Sequence, residues 1–470
     1  MKANHVVVIG GGIGGMCAAR VLSDHFDRVT LIERDELPEG AAHRKGVPQS
    51  RHPHALLDRG RRELSALFPG FDDSIGARGS LDMDAALELA TLNPGGWATR
   101  RRTGHQMLLA SRLLIESVIR DRVKQNPRIK FIEGAEVTSL LSTPGEAPRV
   151  TGVETRTVSD GRANRLDAAL VVDCSGRSSR ASKWLAGLGF PEVEVEVVDG
   201  QAGYSTCWYQ APPASERPAQ WWWKGIALSP AAKPKRDEDY YFALILPIEG
   251  DRFLLTLASW GDRVLPADHE SFAALCRGLR SPIIADALAI SKPISAIFHR
   301  KGMQNIWKHF EKSPGPAGFL ATADAVCAFN PVYGQGMTSA SVCSRILGEL
   351  LAEMDPADAN FPPTFYQRQA EFVRQPWSLS VARDRAALGQ STSSDGAFGG
   401  EAWERVLREG AAVPVIAEAL FNVLNLNRPP ETLMHDSAFL AAVNEILQRP
   451  PKPPVESEDL SPYPPAAIAD

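Results

Sequence analysis

The chain begins with a glycine-rich turn set between two apolar runs, and this turn restricts the folds open to it. The apolar run Val6–Ile9 leads directly into Gly10, Gly12 and Gly15, which have the spacing G-x-G-x-x-G. Apolar residues at helical spacing follow the turn, and a second apolar run covers residues 29–32. A continuous apolar run is typical of a parallel strand buried on both faces, and a strand before and a helix after are the context that the motif requires. The sequence therefore predicts a Rossmann-type α/β unit.

The glycines of this turn have separate physical roles in binding a dinucleotide. Gly10 permits the tight turn, Gly12 lets the backbone approach a pyrophosphate, and Gly15 allows the helix to pack closely on the strand. The helix N-terminus offers free N–H groups to the phosphates. Glu33 follows the second strand, where a carboxylate accepts hydrogen bonds from ribose hydroxyls and repels a 2′-phosphate, so the unit suits FAD or NAD rather than NADP. The candidate cofactor-binding residues here are Gly10, Gly12, Gly14, Gly15, Glu33 and Arg34.

A second cluster of this kind lies far along the chain. The apolar run 318–323 ends at Asp324, whose carboxylate at a strand end can bind a polyol such as a ribityl chain. The loop that follows is rich in glycine and leads into a helix predicted over 337–351. The N-terminus of that helix suits the N1–C2=O edge of a reduced, anionic flavin. The candidate residues of this segment are Asp324, Pro331, Gly334, Gly336 and Met337.

These motifs together resemble the group A flavoprotein monooxygenases, the para-hydroxybenzoate hydroxylase superfamily, over residues 5–350. The resemblance implies that the first motif holds the ADP half of FAD, Asp324 the ribityl chain, and the loop at Pro331 the isoalloxazine ring. Two departures stand out: Ala323 precedes Asp324 where the family has glycine, and the middle motif reads Asp-Cys-Ser-Gly-Arg over 173–177. That middle motif is similar to the squalene-epoxidase and polyether-epoxidase branch, and also to flavin halogenases and geranylgeranyl reductases. The run 331–337 and the segment 49–57 are most similar to the epoxidase branch.

The same resemblance implies further parts of the flavin site and its chemistry. Arg112 matches the family arginine that reaches FAD phosphate or ribose, and Arg44 is placed like another arginine that contacts FAD; a guanidinium can form two hydrogen bonds with phosphate oxygens. No second G-x-G-x-x-G follows a strand. Electrons are therefore expected from NAD(P)H that binds transiently or from a partner flavin reductase, with O2 as the oxidant.

The fold class expected is α/β: a Rossmann-type FAD-binding domain of the glutathione-reductase type (GR2), with an inserted β-sheet substrate domain and a helical C-terminal region. The FAD-binding domain is expected to be discontinuous. The predicted divisions are 1–75, 100–190 and 300–352 for the FAD-binding domain, 76–99 and 191–299 for the substrate domain, 353–448 for the helical region, and 449–470 for a loosely held, proline-rich tail.

Four further side chains are candidates for substrate or proton chemistry. His52 and His54 titrate near neutrality when unperturbed and are candidate acid–base groups, although such histidines more often line the flavin loop and bond the backbone. The run 221–223 is three tryptophans and is predicted to lie on a strand. Trp221 and Trp223 would then share one face and could line an apolar substrate pocket, or simply pack in the core. This run does not match the Trp-x-Trp-x-Ile-Pro motif of flavin halogenases.

Composition excludes several other classes of partner. Lys plus Arg is 51 and Asp plus Glu is 56, a net charge of −5, which gives no support for nucleic-acid binding. No apolar stretch is long enough for a spanning helix and no signal peptide is recognisable, so a cytoplasmic location is expected. The six cysteines form no C-x-x-C pair, and no metal site is expected. The partner expected is a small organic molecule.

The activity that the resemblance implies is insertion of one oxygen atom from O2 into an organic, hydrophobic substrate through a flavin C4a-hydroperoxide. An alkene would give an epoxide with little acid–base assistance, whereas a phenol would be hydroxylated and would require a base. The epoxidase-like motifs favour an alkene or polyketide-like substrate. Three alternatives stay open: an FAD-dependent reductase or dehydrogenase similar to geranylgeranyl reductases, a non-catalytic flavin-binding protein, and a plain NAD dehydrogenase.

Overall fold

The computed structural model describes residues 4–145, 148–231, 233–313, 315–390, 401–410, 413–451 and 460–468. Parts of the predicted N-terminal segment (1–3), helical region (391–400 and 411–412) and tail (452–459 and 469–470) lie outside the described residues.

The strands, in chain order, are β1 (His5–Ile9), β2 (Arg28–Ile32), β3 (Ala55–Leu56), β4 (Leu81–Asp84), β5 (Leu89–Asn93), β6 (Gly96–Trp97), β7 (Gln106–Leu109), β8 (Ile129–Ile132), β9 (Ala135–Ser142), β10 (Val150–Thr157), β11 (Ala163–Asp167), β12 (Leu170–Asp173), β13 (Val195–Gln210), β14 (Gly225–Leu228), β15 (Phe242–Ile248), β16 (Arg252–Ser259), β17 (Lys292–Pro293), β18 (Phe298–Lys308), β19 (Phe319–Ala321) and β20 (Cys327–Ala328).

The α-helices, in chain order, are α1 (Ile13–Leu22), α2 (Asp58–Leu67), α3 (Phe71–Gly76), α4 (Ala85–Glu88), α5 (Arg112–Lys124), α6 (Ala181–Gly187), α7 (His269–Gly278), α8 (Ile283–Ala289), α9 (Gly336–Glu353), α10 (Phe361–Ala387), α11 (Glu401–Gly410), α12 (Pro414–Leu424) and α13 (Ser437–Gln448).

A five-stranded parallel sheet in the order β19-β12-β1-β2-β8 organises the part of the chain predicted to bind the cofactor. Every residue of β1 is buried, as is every residue of β12 and β19, because helices and a small antiparallel sheet cover both faces. The carboxyl ends of β1, β2, β12 and β19 meet at one edge of this sheet. The predicted strands at 6–9 and 29–32 are therefore confirmed, and the late strand β19 joins the sheet at its edge, beside β12.

A larger sheet forms the second layer, in the order β20-β18-β13-β16-β15-β14-β5-β6, with β17 paired to β13. Its strands are antiparallel except for β14 and β5, which run parallel. The sheet extends beyond residue 299, where the sequence analysis ended the substrate domain, because β18 pairs with β13 as far as Lys308. The mixed α/β class with a separate large sheet and a helical C-terminal region is confirmed. Because most of the large sheet falls in the segment predicted as the substrate domain, it is called the substrate sheet below.

Two sequence expectations about this layer are wrong. Trp221–Trp223 do not form a strand; they lie in the loop before β14 and pack against the core of the large sheet. Residues 460–468 are not loosely held. The indole N–H of Trp97 donates to the carbonyl of Ser461 at 2.7 Å, and the hydroxyl of Tyr463 donates to Asp286 at 2.6 Å. Long-range contacts of this kind carry no local sequence signal.

Helices α9 and α10 follow the last strand of the parallel sheet in the chain and pack against each other. Helix α9 buries most of its side chains against α1, α2 and α10. Helix α10 continues through Pro376, and its buried residues form a stripe along its length. Among the described residues, no helix combines the length and apolar character needed to cross a membrane.

Candidate flavin site

A cavity of about 310 Å³ lies at the edge where the carboxyl ends of the parallel strands meet. Most of its lining comes from four segments: the glycine-rich turn after β1, the residues after β2, the loop after β12, and the segment from Ala323 to Ala340. Arg112 and residues 135–137 also line it. Clefts at this edge are the usual ligand sites of open α/β sheets, and the volume is in the range typical of small-molecule pockets. The structure thus brings the two separated sequence motifs to one site.

The glycine-rich turn has the close approaches that its spacing predicts. Gly10 has a φ of +100°, and a Cβ there would lie 2.6 Å from the carbonyl oxygen of Cys174. A Cβ at Gly15 would overlap the carbonyl oxygen of Gly10, whereas one at Gly12 would meet open space. Backbone at Gly12 is therefore open to a ligand, while Gly10 and Gly15 allow the turn to pack against β12 and itself.

Glu33 lines the cavity and also holds the turn. Its carboxylate accepts hydrogen bonds from the backbone N–H groups of Gly11 at 2.7 Å and Asp35 at 3.0 Å. Arg44 lies 3.2 Å from the same carboxylate. Each carboxylate oxygen can accept more than one hydrogen bond, so Glu33 retains capacity for a ribose hydroxyl. Arg34 also lines the cavity and is exposed.

Arg44 is already paired with acidic side chains. Its guanidinium contacts Glu116 at 3.0 Å and Asp35 at 3.1 Å in addition to Glu33, and it is nearly inaccessible to solvent. The residue lines the cavity, but three carboxylates use most of its donors. We therefore assign Arg44 chiefly to holding Glu33 in place.

Arg112, in contrast, has a free donor at the cavity. It begins α5, and the side chain of Ser111 caps that helix by accepting the N–H of Leu114 at 3.1 Å. One guanidinium nitrogen, Nη2, lies 3.1 Å from Glu116. The other, Nη1, is buried and has no hydrogen-bond partner among the described residues. Burial lowers the pKa of Arg112, partly offset by Glu116. An unsatisfied buried donor is costly, so an acidic ligand group fits here.

Asp324 lies across the cavity in the short helix after β19. Burial raises its pKa, and the positive charges of Arg177 and Arg112 oppose that shift. The preceding residue, Ala323, has a φ of +53°, a conformation that favours glycine. This geometry explains the glycine that the resembled family has at this position. The structure thus places Asp324 where a ribityl hydroxyl can bind it.

The flavin-facing loop, residues Asn330–Gln335, completes the site. Pro331–Tyr333 form a single 3-10 turn, and the side chain of Asn330 accepts the N–H of Val332 at 3.3 Å. Gly334 has a φ of +69° and ends the turn. Helix α9 then begins, and its N-terminus lies at the cavity. The predicted Pro331, Gly334, Gly336 and Met337 all line the cavity.

His52 and His54 are held by hydrogen bonds beside the cavity. Nδ1 of His52 lies 2.8 Å from Oγ1 of Thr206, on the substrate sheet, and its ring packs edge-on against Tyr204. Nδ1 of His54 donates to the carbonyl of His52 at 2.9 Å, and His54 lines the cavity. Burial lowers the pKa of His52 to about 4, with Arg300 adding to the shift. Burial and Arg112 lower the pKa of His54 to about 3.

Trp221 and Trp223 do not line this cavity. Their rings stack at a centroid distance of 4.1 Å, and Trp223 is buried in the core of the large sheet. The apolar surface that they offer is used in packing. Their role in a substrate pocket stays a prediction.

Several lining residues were missed as site residues although the sequence carried a signal. Cys174, Ser175 and Gly176 come directly after β12 and line the cavity, as the middle motif at a strand end indicates. Ser175 Oγ is buried without a partner among the described residues. Arg177 donates to the carbonyls of Gln304 at 2.6 Å and Phe329 at 2.8 Å, which joins this motif to β18 and to the residue before the flavin-facing loop. Gln49, the first residue of the epoxidase-like segment 49–57, also lines the cavity, as does Trp184, which has no local signal.

The donor set of this cavity fits FAD. The glycine-rich turn and the unpaired Nη1 of Arg112 suit a pyrophosphate, Glu33 suits a ribose, and Asp324 with the α9 N-terminus suits a ribityl chain and a flavin ring. Within the described ranges, no group of three or more His, Cys, Asp or Glu side chains is arranged to hold a metal ion. The chemistry of the site is therefore that of an organic dinucleotide.

Comparisons with known proteins agree with this geometry. A sequence model of the family described as FAD dependent oxidoreductase matches residues 5–187. The protein Rv3254 of Mycobacterium tuberculosis is 30% identical over 383 residues, covering 76% of this chain and 77% of the relative.

Two solved structures have the same overall arrangement. A flavin-dependent brominase superposes with a TM-score of 0.67 at 14% identity, covering 94% of this chain and 98% of its own. The p-nitrophenol 4-monooxygenase from Pseudomonas putida superposes with a TM-score of 0.63 at 14% identity, covering 91% and 99%. Sequence identities this low show only that the fold is shared. The chain belongs to the FAD-dependent oxidoreductase family, and it shares its fold with these two flavin-dependent enzymes.

Proposed function

We propose that this protein is an FAD-dependent monooxygenase that inserts one oxygen atom from O2 into a hydrophobic organic substrate, most simply by epoxidation of an alkene. Bound FAD supplies the redox chemistry and the activation of dioxygen. The protein supplies the binding of the cofactor, the substrate surface and the exclusion of water. Electrons come from NAD(P)H that binds transiently or from a partner flavin reductase.

The face of the large sheet turned towards His52 supports a hydrophobic substrate. Tyr204, Thr206 and Trp208 alternate along β13 on this face, because residues two apart on a strand point to the same side. Their neighbours across the adjacent strands include apolar residues, and directly paired residues share a face. The apolar neighbours are Phe242, Leu244, Leu246, Leu254, Ala258 and Phe298, and the polar ones are Thr256 and Arg300.

The observation that carries the preference for an alkene is the state of the histidines. Hydroxylation of a phenol requires a base that removes the phenolic proton. With a pKa of about 4 for His52 and about 3 for His54, both imidazoles are neutral and weakly basic at physiological pH. Burial also raises the pKa of Tyr204 to about 12, so its hydroxyl keeps its proton. An alkene places no such demand on these side chains.

The neutral histidines have a positioning role in this proposal. His54 donates its Nδ1 proton to the carbonyl of His52, which fixes the tautomer and leaves Nε2 as an acceptor. His52 joins the segment before β3 to Thr206, whose Oγ1 lies 2.6 Å from that of Thr256. The chain of bonds holds the cavity wall against the substrate sheet.

Isotopically labelled dioxygen tests the proposal directly. The purified holoenzyme is reduced anaerobically and mixed with labelled O2 and a panel of hydrophobic alkenes and matched phenols, and the products are analysed by mass spectrometry. One labelled oxygen atom in an epoxide is the expected result. Substrate conversion without label and without substrate-dependent O2 uptake would instead support the reductase or dehydrogenase alternative. Labelled hydroxylated phenols with no epoxide would contradict the alkene preference.

A further inference from the structure

Helix α10 forms hydrogen bonds with the segment that carries the second half of the flavin site. Four buried side chains along its length form hydrogen bonds to residues between 321 and 335, a range that includes the flavin-facing loop. Tyr366 accepts from the N–H of Ala321 at 2.9 Å, Gln369 accepts from Thr322 at 2.6 Å, Ser380 donates to Gln335 at 2.7 Å, and Asp384 contacts Asn330 and Tyr333. The helix therefore contacts the loop through specific polar groups as well as through apolar packing.

Asp384 makes the largest number of these bonds. Its carboxylate is fully buried and accepts four donors: Nδ2 of Asn305 at 2.7 Å, Nδ2 of Asn330 at 3.0 Å, the hydroxyl of Tyr333 at 2.5 Å and Nε1 of Trp260 at 3.1 Å. An ionised carboxylate only accepts hydrogen bonds, and all four partners donate. No Lys or Arg within the described ranges lies at ion-pair distance from it.

The four donors come from two different parts of the molecule. Asn330 and Tyr333 flank Pro331 in the flavin-facing loop, and Asn330 lines the cavity. Asn305 lies on β18 and Trp260 directly follows β16, both in the substrate sheet. Asn305 also accepts the backbone N–H of Asn330 at 2.8 Å through its side-chain oxygen. One carboxylate thus joins α10, the cofactor loop and the substrate sheet.

Residue 200 has no side chain, and this leaves space for the carboxylate of Asp384. Gly200 on β13 faces it so closely that a Cβ at residue 200 would overlap the carboxyl group of Asp384. A buried polar group with every partner satisfied specifies a single arrangement, whereas the loss of one partner leaves the others unpaired at a cost. The cluster is therefore suited to holding the loop in one conformation.

We propose that Asp384 is a positioning residue that holds the flavin-facing loop in its FAD-binding conformation and joins that loop to the substrate sheet. It lies one residue away from the cavity wall and acts through Asn330 and Tyr333. The inference rests on the flavin site and is independent of whether the reaction inserts oxygen.

The test replaces Asp384 by asparagine, a group of the same size. One oxygen remains as an acceptor, but the new NH2 group is a donor and cannot accept hydrogen bonds from the donors that face it. We expect FAD to bind about tenfold more weakly in a fluorescence titration. We also expect an altered visible circular dichroism spectrum of the bound flavin at saturating FAD, and faster amide exchange over residues 332–336. A role confined to stability would leave the spectrum at saturating FAD unchanged.

Gln375→Ala is the matched control. Gln375 lies on the same helix, and its Nε2 donates to the carbonyls of Val423 at 3.2 Å and Arg428 at 2.7 Å, so the variant loses two bonds without touching the loop. It should keep the FAD affinity and the flavin spectrum of the parent protein. Equal losses in both variants, or parent values of affinity, spectrum and exchange in Asp384→Asn, would overturn the proposal.

Tyr333→Phe provides a second variant in case Asp384→Asn does not fold. It removes one donor to Asp384 and keeps the ring, so we expect a smaller loss of FAD affinity, about threefold, with the same change in the flavin spectrum. A parent-like spectrum and affinity in Tyr333→Phe would contradict the role. These readouts are separate from label incorporation, so failure of the oxygen-insertion proposal and failure of this one are distinguishable.

Discussion

Arg112 and Glu116 form a buried ion pair of 3.1 Å one helical turn apart on α5, and the pair leaves Nη1 of the arginine without a partner at the cavity. Glu116 is shared with Arg44, which lies 3.0 Å away. The two arginines thus differ in the hydrogen-bond donors available to a ligand. Arg44 donates to carboxylates of the protein, whereas Nη1 of Arg112 is available to the cofactor.

Arg112→Lys should weaken FAD binding roughly thirtyfold, because a hydrogen bond to a charged group contributes about 2 kcal/mol and lysine cannot reproduce the planar guanidinium. Titration of flavin fluorescence measures this change. The control is Arg122→Lys, since Arg122 lies on the same helix and donates to the carbonyls of Pro69 and Gly70, each at 2.8 Å and outside the cavity. Equal affinities in the two variants would refute the assignment of Nη1 to the cofactor.

Ala323→Gly should increase the free energy of unfolding by about 0.5–1 kcal/mol. The φ of +53° at Ala323 is disfavoured for a residue with a Cβ, and glycine relieves it at some cost in unfolded-chain entropy. Urea denaturation measures the difference. Ala325→Gly, two residues on and fully buried, has no such strain to relieve and should destabilise the protein. A loss of stability in Ala323→Gly of the same size would contradict the prediction.

The two histidines should make stability depend on pH in acid. Their pKa values in the folded protein, about 4 for His52 and about 3 for His54, lie below the ordinary value of 6.5. Between the folded pKa values and pH 6.5, the unfolded chain therefore binds more protons than the folded protein. The free energy of unfolding falls as the pH drops below 6.5. The slope is at most about 1.4 kcal/mol per pH unit for each histidine.

Replacing each histidine by asparagine tests this. His52→Asn and His54→Asn should each flatten the fall in stability between pH 6.5 and the folded pKa, as followed by urea denaturation at a series of pH values. Unchanged slopes in both variants would mean that the imidazoles are not held neutral by the fold.

Trp223→Ala should cost about 3–5 kcal/mol of stability, because the side chain is buried in the core of the large sheet and stacks on Trp221. FAD affinity should remain that of the parent protein, since neither indole reaches the cavity. Thermal or chemical denaturation and a flavin titration measure the two effects. A changed KM for substrate with unchanged stability would instead support the predicted role of Trp223 in a substrate pocket.

Local sequence was sufficient for the parts of the site that a short segment builds alone. The turn from Gly10 to Gly15 and Glu33 belong to one strand–turn–helix–strand unit, whose geometry follows from glycine conformations and apolar periodicity. The loop at Pro331 and the start of α9 are local in the same sense, which is why both motifs were recognisable before the fold was known. The run at Trp221 was misplaced because three aromatic residues fit a strand and a packed loop equally well.

The sequence by itself determined the fold class, the parallel strands and the two halves of a flavin site, because glycine φ angles, helix N-termini and buried apolar runs are properties of short segments. Tertiary structure decided which charges remain available to a ligand. It paired Arg44 with three acids, left Nη1 of Arg112 free and lowered the pKa values of His52 and His54 by burial. It also brought Asp384 to partners more than fifty residues away in sequence. Burial and pairing depend on distant segments meeting, and no local pattern encodes that.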